Sequence, residues 1–223
     1  MTVLAIWVIM WTFQRNPFKR IHRPINVPST YSQILVDAAD LIFNLRGIGW
    51  SWSPLPRPPI DSRSSLTFFF HTLVSFIFHL VLSDVTQRLV QNFGPDTIGS
   101  PVGGTIFDAS LPPLHRYLRS SLITLISGFS IYGIIQATYL LATLFFLIFL
   151  RYSPSQLPPI FNHPWFSTSL SQFWSKRWHQ LFRDLFISLG GKPLAHLMGR
   201  VGGALGAFFV SGVLHTFGLW GMG

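Results

Sequence analysis

One apolar stretch decides the fold class of this chain. Residues 121–150 read SLITLISGFSIYGIIQATYLLATLFFLIFL and contain no Asp, Glu, Lys or Arg. A helix crosses a hydrocarbon core of about 30 Å with about 20 residues, so this run is longer than one perpendicular span requires. Gly128 and Gly133 interrupt it, and the pattern is compatible with a strongly tilted helix or with a broken one.

Three further apolar runs occupy residues 2–13, 66–82 and 201–220. The second and third of these reach the lower limit of about 17 residues for a helical span. The first is short and begins at Met1 without the basic segment of a signal peptide, so we interpret it as a tilted or truncated span. The sequence predicts an all-α, multi-pass membrane protein with about four transmembrane helices and an additional amphipathic or re-entrant helix.

Composition supports this class and removes several kinds of chemistry. The 223 residues are 49% hydrophobic and 10% charged, whereas soluble domains carry about 25% charged residues. The chain has no Cys and no Glu, which excludes thiol nucleophiles, CxxC sites and HExxH metallopeptidase motifs. We therefore predict no metal site, and the eight His and the Asp residues are the available acid–base groups.

The net charge of +9 is interpreted as a sign of membrane topology and not of nucleic-acid binding, because the cations flank apolar runs and no base-reading motif accompanies them. Lys and Arg number seven in residues 14–64, three in 84–119 and six in 151–200. Since cytosolic loops are enriched in Lys and Arg, we expect segments 14–64 and 151–200 to face the cytosol.

A polar and aromatic motif lies in residues 167–183, STSLSQFWSKRWHQLFR. On a continuous helix, the apolar side chains would share one face, and Gln172, Lys176, His179 and Arg183 would share the opposite, wet face. One interpretation is an interfacial amphipathic helix in which His179 has no special role. The other is a polar face that lines an aqueous path for an anionic substrate.

A second motif lies in the run 201–220. Gly199 with Gly203, and Gly202 with Gly206, form small-xxx-small pairs that allow a neighbouring helix to approach closely. Ser211 precedes His215 by four residues, on the same helix face. An ionisable residue inside a span is a functional candidate, and a packing histidine is the alternative. His71 and His79 have no accompanying carboxylate or thiol, so we expect them to pack or to bond between helices.

Together the segments 169–180 (SLSQFWSKRWHQ) and 211–215 (SGVLH) resemble the wax-synthase branch of the membrane-bound O-acyltransferases, especially fungal members linked to acetylation of terpenoids and other specialised metabolites. The segment 46–50 (RGIGW) is similar to the same fungal proteins. The resemblance covers residues 43–220. It divides the chain into residues 1–64, a first span with a cytosolic linker, and residues 65–223, an acyltransferase core.

The resemblance implies that an acyl group moves from acyl-CoA to an alcohol inside a membrane-embedded chamber. It assigns His215 as the catalytic residue and His179, often Asn in the family, as the second signature residue. Family members are usually longer and carry spans beyond the histidine, whereas this chain ends at residue 223. We therefore expect a shortened core, and the alternative function is a non-catalytic membrane paralogue or interaction subunit.

The residues present suggest a direct transfer. His215 would act as general base on the alcohol, and His179 would donate a hydrogen bond to the thioester carbonyl or the oxyanion. A covalent route through Ser211 is less favoured, because Asp184 is the one carboxylate of the cytosolic segment 151–200 and none lies in the span, which leaves no evident orienting acid. Counted from Arg200, His215 would lie about 22 Å along the helix, so the motif at 167–183 would have to dip into the bilayer to reach it.

The remaining expectations concern ligands and location. Residues expected to contact substrate or CoA are Trp174, Lys176, Arg177, Trp178, Arg183 and Ser211. Acetyl-CoA or another acyl-CoA is the expected co-substrate, with no bound cofactor, and the expected acceptor is a lipophilic alcohol such as a terpenoid. Membrane lipid is the other expected partner, a homo-oligomer is allowed, and the family implies the endoplasmic reticulum.

Overall fold

The computed structural model describes residues 11–12, 18–21, 30–44, 46–52, 63–94 and 104–220. Residues 2–10 and 13 of the predicted first span lie outside the described residues. The described helices, numbered in chain order, are α1 (Tyr31–Phe43), α2 (Ser65–Gln91), α3 (Pro113–Phe149), α4 (Leu170–Gln172), α5 (Arg183–Phe186) and α6 (Lys192–Trp220). A π-helix follows α4 (Phe173–Arg177) and another follows α5 (Ile187–Gly191), and 3-10 turns lie at Pro154–Gln156 and Pro164–Phe166.

The chain forms two compact units, residues 59–158 and residues 1–58 with 159–223. The first unit contains α2 and α3. Helix α3 is continuous over 37 residues, about 55 Å at 1.5 Å per residue, so the broken-helix alternative for run 121–150 is wrong. The division of function between residues 1–64 and 65–223 stays a prediction.

Small and polar side chains line the contact between α2 and α3. A Cβ at Gly133 would lie 3.1 Å from the carbonyl oxygen of His79, so only glycine allows this approach without a shift. Ser83 Oγ donates to the carbonyl oxygen of Ser130 at 3.3 Å. The His79 ring bonds the Ser75 carbonyl at 2.7 Å and packs against Tyr132. His79 thus has the packing role expected from sequence, and the described residues contain no cluster that could hold a metal ion.

In the second unit, a buried carboxylate ties the RGIGW segment to α1. Asp40 is 4% exposed, accepts a hydrogen bond from the Trp50 indole at 2.6 Å and pairs with Arg20 at 3.0 Å. The guanidinium of Arg20 also lies over the Trp50 ring, 4.5 Å from its centroid. Asn44 closes the turn by bonding both the N–H and the carbonyl of Ile48. We call residues 46–50 the collar.

The carboxyl-terminal helices form a tight antiparallel hairpin. Gly199 has φ 63° and ψ −149°, a backbone conformation that is essentially restricted to glycine. The turn there folds residues 200–220 back onto residues 183–198. A Cβ on Gly190 would overlap the Gly206 carbonyl, and a Cβ on Gly202 would overlap the Leu194 carbonyl. The close approach predicted for Gly202 with Gly206 is confirmed, and the neighbouring helix belongs to the same chain. The pairing predicted for Gly199 is wrong, because Gly199 forms the turn and a Cβ there would meet nothing within 4 Å.

Within the described residues, three segments are long and apolar enough to cross a membrane: Ser65–Gln91, Pro113–Phe149 and Arg183–Gly218. The predicted all-α membrane protein is therefore confirmed. The third segment is not one straight helix, because residues 190 and 206 would lie about 24 Å apart along such a helix and are in contact here. The run 201–220 is thus the second arm of a hairpin.

Candidate active site

The motif at 167–183 is not the single amphipathic helix that its spacing predicts. Helix α4 continues as the π-helix Phe173–Arg177, and the helix then ends at Trp178, whose ψ is 166°. Residues 178–182 are not helical before α5 begins at Arg183. The predicted continuous helix is wrong, and π-helical turns of this kind are frequent at functional sites.

A distant loop explains why the helix ends here. The N–H of Asn162 donates to the Arg177 carbonyl at 2.9 Å, and the N–H of Gln180 donates to the Ile160 carbonyl at 3.3 Å. These bonds satisfy backbone groups that a continuing helix would have used internally. The segment 160–162 therefore pairs with the segment 177–180 on both sides of His179.

His179 lies among aromatic rings and not on a wet helix face. Its ring is half-buried, and ring centroids of Phe161, Trp178 and Phe182 lie 6.0, 6.0 and 6.2 Å away. The Nδ1 atom is buried and has no hydrogen-bond partner among the described residues. Burial, and secondarily the charge of His215, lowers the pKa of His179 to about 4. The ring is therefore neutral at pH 7, and the predicted wet orientation is wrong.

The hairpin folds the arm that carries His215 back toward the polar motif. Close contacts of Gly190 with Gly206 and of Leu194 with Gly202 define the two antiparallel arms, and His215 lies within electrostatic range of His179. His215 is exposed within the described residues. The depth of about 22 Å expected from Arg200 is thus a distance from the hairpin turn.

The neutral, half-buried His179 predicts a loss of stability in acid. Between pH 6.5 and about 4 the unfolded state binds a proton at this position and the folded state does not, so stability falls as the pH drops through this window. The loss should reach about 3 kcal/mol at the lower end. Thermal unfolding of wild type and His179→Asn in detergent at pH 7.5 and pH 4.5 measures it. Equal acid destabilisation of the two proteins would contradict a neutral His179.

The other predicted contact residues divide into two groups. Trp174 is 48% exposed and its ring packs on Phe208 of the second hairpin arm, with centroids 6.3 Å apart. Lys176 is exposed. Trp178 is enclosed by Phe161 and Phe173, with centroids 5.0 and 5.1 Å away. Trp174 and Lys176 are therefore accessible, whereas the Trp178 ring packs against other aromatic rings. The predicted substrate contacts of all three residues stay predictions.

The two arginines of the motif hold backbone carbonyls. Arg177 Nη1 donates to the carbonyl oxygens of Asn162 and His163 at 3.2 and 3.1 Å. Arg183 Nε donates to the carbonyl oxygen of Ser175 at 3.2 Å. Ser211 is half-buried, and in the described part of the chain it makes no hydrogen bond to His215. The predicted contacts of these residues with substrate stay predictions, and the arginines also have a structural role.

Sequence reasoning missed the loop at 159–163 and did not predict that Asp184 is buried. Arg46 Nη1 of the collar donates to the Pro159 carbonyl at 3.1 Å. Asp184 is 8% exposed, and neither of its carboxylate oxygens has a hydrogen-bond partner among the described residues. The charges of Arg183, Lys192 and Arg46 act on it. In the sequence, the one available signal for the loop contact was Arg46, a charged residue in the glycine-rich collar.

Comparison with known proteins finds one matching family and several relatives of this chain. Residues 157–223, which include both histidines, match the membrane bound O-acyl transferase family. The acetyltransferase ple2 of Rhodocybe pseudopiperita is 27% identical over 80% of this chain and 47% of that protein, and the acetyltransferase atnC of an Arthrinium species is 23% identical over 84% and 47%. A probable long-chain-alcohol O-fatty-acyltransferase of Arabidopsis thaliana is 33% identical over 26% of this chain and 20% of that protein.

The chain spans about half the length of the fungal relatives that it matches. No solved structure matches it. The fungal acetyltransferases extend over most of the chain, whereas the plant relative covers a shorter part. The resemblance to the wax-synthase branch of the membrane-bound O-acyltransferases is thus confirmed, with the family match at residues 157–223.

Proposed function

We propose that this protein transfers an acyl group from acyl-CoA to the hydroxyl of a lipophilic alcohol. The observation that supports the proposal is the hairpin, which folds the arm with His215 back until it lies within electrostatic range of His179. Residues 157–223 match an acyltransferase family, and the relatives are named as acetyltransferases and alcohol acyltransferases. A histidine in a candidate span, close to a polar motif outside it, suits a reaction between an oily alcohol and a soluble thioester.

The proposed chemistry is a direct acyl transfer. A ring nitrogen of His215 takes the hydroxyl proton as the alcohol oxygen attacks the thioester carbonyl. The tetrahedral intermediate then expels the CoA thiolate, which receives that proton. His179, being neutral, donates a hydrogen bond to the developing oxyanion, a type of contact worth about 3–4 kcal/mol. The missing Ser211–His215 hydrogen bond in the described chain gives the covalent route no geometric support.

The exposed Lys176 is the best candidate to meet the CoA phosphates, because Arg177 and Arg183 are bonded to backbone carbonyls. We expect Lys176→Gln to raise the KM for acyl-CoA about fivefold, as for loss of about 1 kcal/mol from an exposed charge pair, with kcat unchanged. Steady-state kinetics at low and high salt measure this effect, which should shrink as salt rises.

Lys192→Gln is the matched control for this substitution. Lys192 is exposed as well, but it lies at the start of α6, nearer the hairpin turn than the motif. Its replacement should leave the KM for acyl-CoA unchanged. An equal rise in both variants would show that the effect comes from net charge and not from a phosphate contact at Lys176.

The finer specificity is also part of the proposal. The fungal relatives are named acetyltransferases, which favours acetyl-CoA as donor and a terpenoid-like alcohol as acceptor. Relatives from Arabidopsis thaliana are named for long-chain alcohols and for sterols, so those alcohols are the competing acceptors. The family also favours the endoplasmic reticulum as the location.

A direct assay tests the function. Purified protein in lipid nanodiscs receives radiolabelled acetyl-CoA or palmitoyl-CoA, together with a terpenoid alcohol, a sterol or a long-chain alcohol. We expect labelled ester with at least one pair and the highest rate with acetyl-CoA. Absence of ester with every pair, from folded protein, would favour the alternative of a non-catalytic membrane paralogue or subunit.

A further inference from the structure

The collar makes a contact of very long sequence range. Arg46 Nη1 donates a hydrogen bond to the carbonyl oxygen of Pro159, 113 residues away. The backbone that presents Arg46 is held in place, because Asn44 bonds Ile48 and the Trp50 indole bonds the buried Asp40. Arg46 therefore reaches Pro159 from an anchored loop.

Pro159 begins the short segment that shapes the surroundings of His179. Ile160, 2% exposed, and Phe161, 7% exposed, are buried directly after it. The Ile160 carbonyl accepts from the Gln180 N–H, next to His179. The Phe161 ring stands edge-on to the His179 ring, at 89° and 6.0 Å between centroids. Movement of the Pro159 carbonyl would thus change the hydrogen bond to the Gln180 backbone and the ring contact of His179.

We propose that Arg46 is a positioning residue for His179, acting through the segment 159–161. The inference rests on the proposed function, since it assigns Arg46 to the same reaction. Arg46 fixes the Pro159 carbonyl, that segment fixes the Gln180 backbone and the Phe161 ring, and these hold the His179 ring at the end of the hairpin where His215 lies. Arg46 itself contacts neither substrate nor the reacting atoms.

An electrostatic interaction also favours this position of Arg46. The buried carboxylate of Asp184 lies within electrostatic range of Arg46, as it does of Arg183 and Lys192. Asp184 lies in α5, which directly follows the non-helical residues 178–182. The Arg46 guanidinium thus interacts with groups on both sides of the loop that carries His179. It donates a hydrogen bond to the Pro159 carbonyl before the loop, and its charge acts on the Asp184 carboxylate after the loop.

The kinetic test uses Arg46→Met, which keeps the apolar stem and removes the donor. We expect kcat to fall about 100-fold, as for a small displacement of a reacting group, with the KM for acyl-CoA within twofold of wild type. Arg46→Lys keeps a donor and a charge and should restore kcat to within about tenfold of wild type. Arg200→Met, at an exposed arginine near the hairpin turn, is the control and should have no effect.

A second measurement does not depend on activity. The chain contains no Cys, so Gln180→Cys creates a single thiol next to His179. Its backbone N–H still donates to the Ile160 carbonyl. When Arg46→Met is added, we expect this thiol to react with a water-soluble maleimide about tenfold faster. The reason is that loss of one hydrogen bond from a charged donor makes local opening of the segment easier by about this factor. Arg200→Met should leave the rate unchanged.

The outcomes separate the alternatives. A raised KM with unchanged kcat would assign Arg46 to CoA binding and overturn the positioning role. Unchanged kcat and thiol reactivity would overturn it as well, and so would failure of both the Met and the Lys variants to fold. If the wild-type protein forms no ester, the proposed function fails, and the thiol rates alone then decide whether Arg46 holds the segment.

Discussion

Replacing His215 with alanine should lower the rate of ester formation about 1,000-fold, within the range typical for loss of a general acid–base group. His179 is a poor substitute for His215, because it has a pKa of about 4 and a half-buried ring. The same ester assay in nanodiscs measures the loss under single-turnover conditions, with saturating acyl-CoA. The effect should fall on the chemical step and leave the affinity for acyl-CoA unchanged.

His196→Ala is the matched control for this substitution. His196 lies in α6 as well, is exposed, and stands close to the hairpin turn at Gly199. His196→Ala also removes an imidazole from the hairpin, but at the end that lies far from the motif. Activity should therefore stay within twofold of wild type. Equal turnover by wild type and His215→Ala would refute the assignment of His215, even if the protein makes ester.

The spans were predictable because their signal is local. Runs 66–82 and 121–150 are almost free of charge, and hydrocarbon thickness converts run length directly into helical spans. These two runs correspond to α2 and α3. Both helices extend beyond the apolar run into polar residues, and the Ser64 side chain caps the start of α2. His215 was equally accessible as a candidate, since an ionisable group inside an apolar run stands out, whereas His179 was assigned only through the resemblance of its motif.

The break at Trp178 was not predictable from periodicity. The spacing of apolar residues in 170–183 fits a helix, and nothing in that segment forbids one. The helix ends because backbone groups of Arg177 and Gln180 bond Asn162 and Ile160. Contacts between separated segments commonly override local preference, and a single sequence contains no direct record of them.

The hairpin illustrates a similar limit. Small-xxx-small spacing predicted that a helix would approach closely at Gly202 and Gly206, but the spacing does not identify the partner. Gly199 was assigned to one of these pairs, whereas the structure uses it for the turn, with φ 63°. Once the turn is known, His215 and Arg183 each lie 16 residues from Gly199 (215 − 199 and 199 − 183). The fold at this one glycine therefore turns the arm of His215 back toward the end of the polar motif.

The position of His215 bears on access to the reaction. A histidine about 22 Å along a span from Arg200 would have needed a passage to meet a soluble thioester. In the described residues His215, Lys176 and Trp174 are all exposed, and Trp174 packs on Phe208, about two turns before His215 on the same arm. The proposed general base and the proposed phosphate contact are therefore both accessible.

The hairpin itself should be very sensitive to one methyl group. A Cβ on Gly206 would overlap the Gly190 carbonyl oxygen and lie 2.8 Å from Leu194 Cδ1. The Gly190 carbonyl is backbone, so the overlap is relieved only if the arms separate, and we expect Gly206→Ala to reduce the free energy of unfolding by about 3 kcal/mol or more. Thermal unfolding in detergent, together with the ester assay, measures the loss. Activity should fall with it, because separated arms no longer hold His215 beside His179.

Gly212→Ala is the control, since it makes the same change six residues later in the same helix, where a Cβ would meet nothing within 4 Å. There the methyl group should be neutral or stabilising by up to about 1 kcal/mol, because alanine is the better helix former. If the two variants unfold alike, the arms are not packed through Gly190 and Gly206. The close packing of the two arms would then lose its basis, and with it the geometric argument that the hairpin turns His215 toward His179.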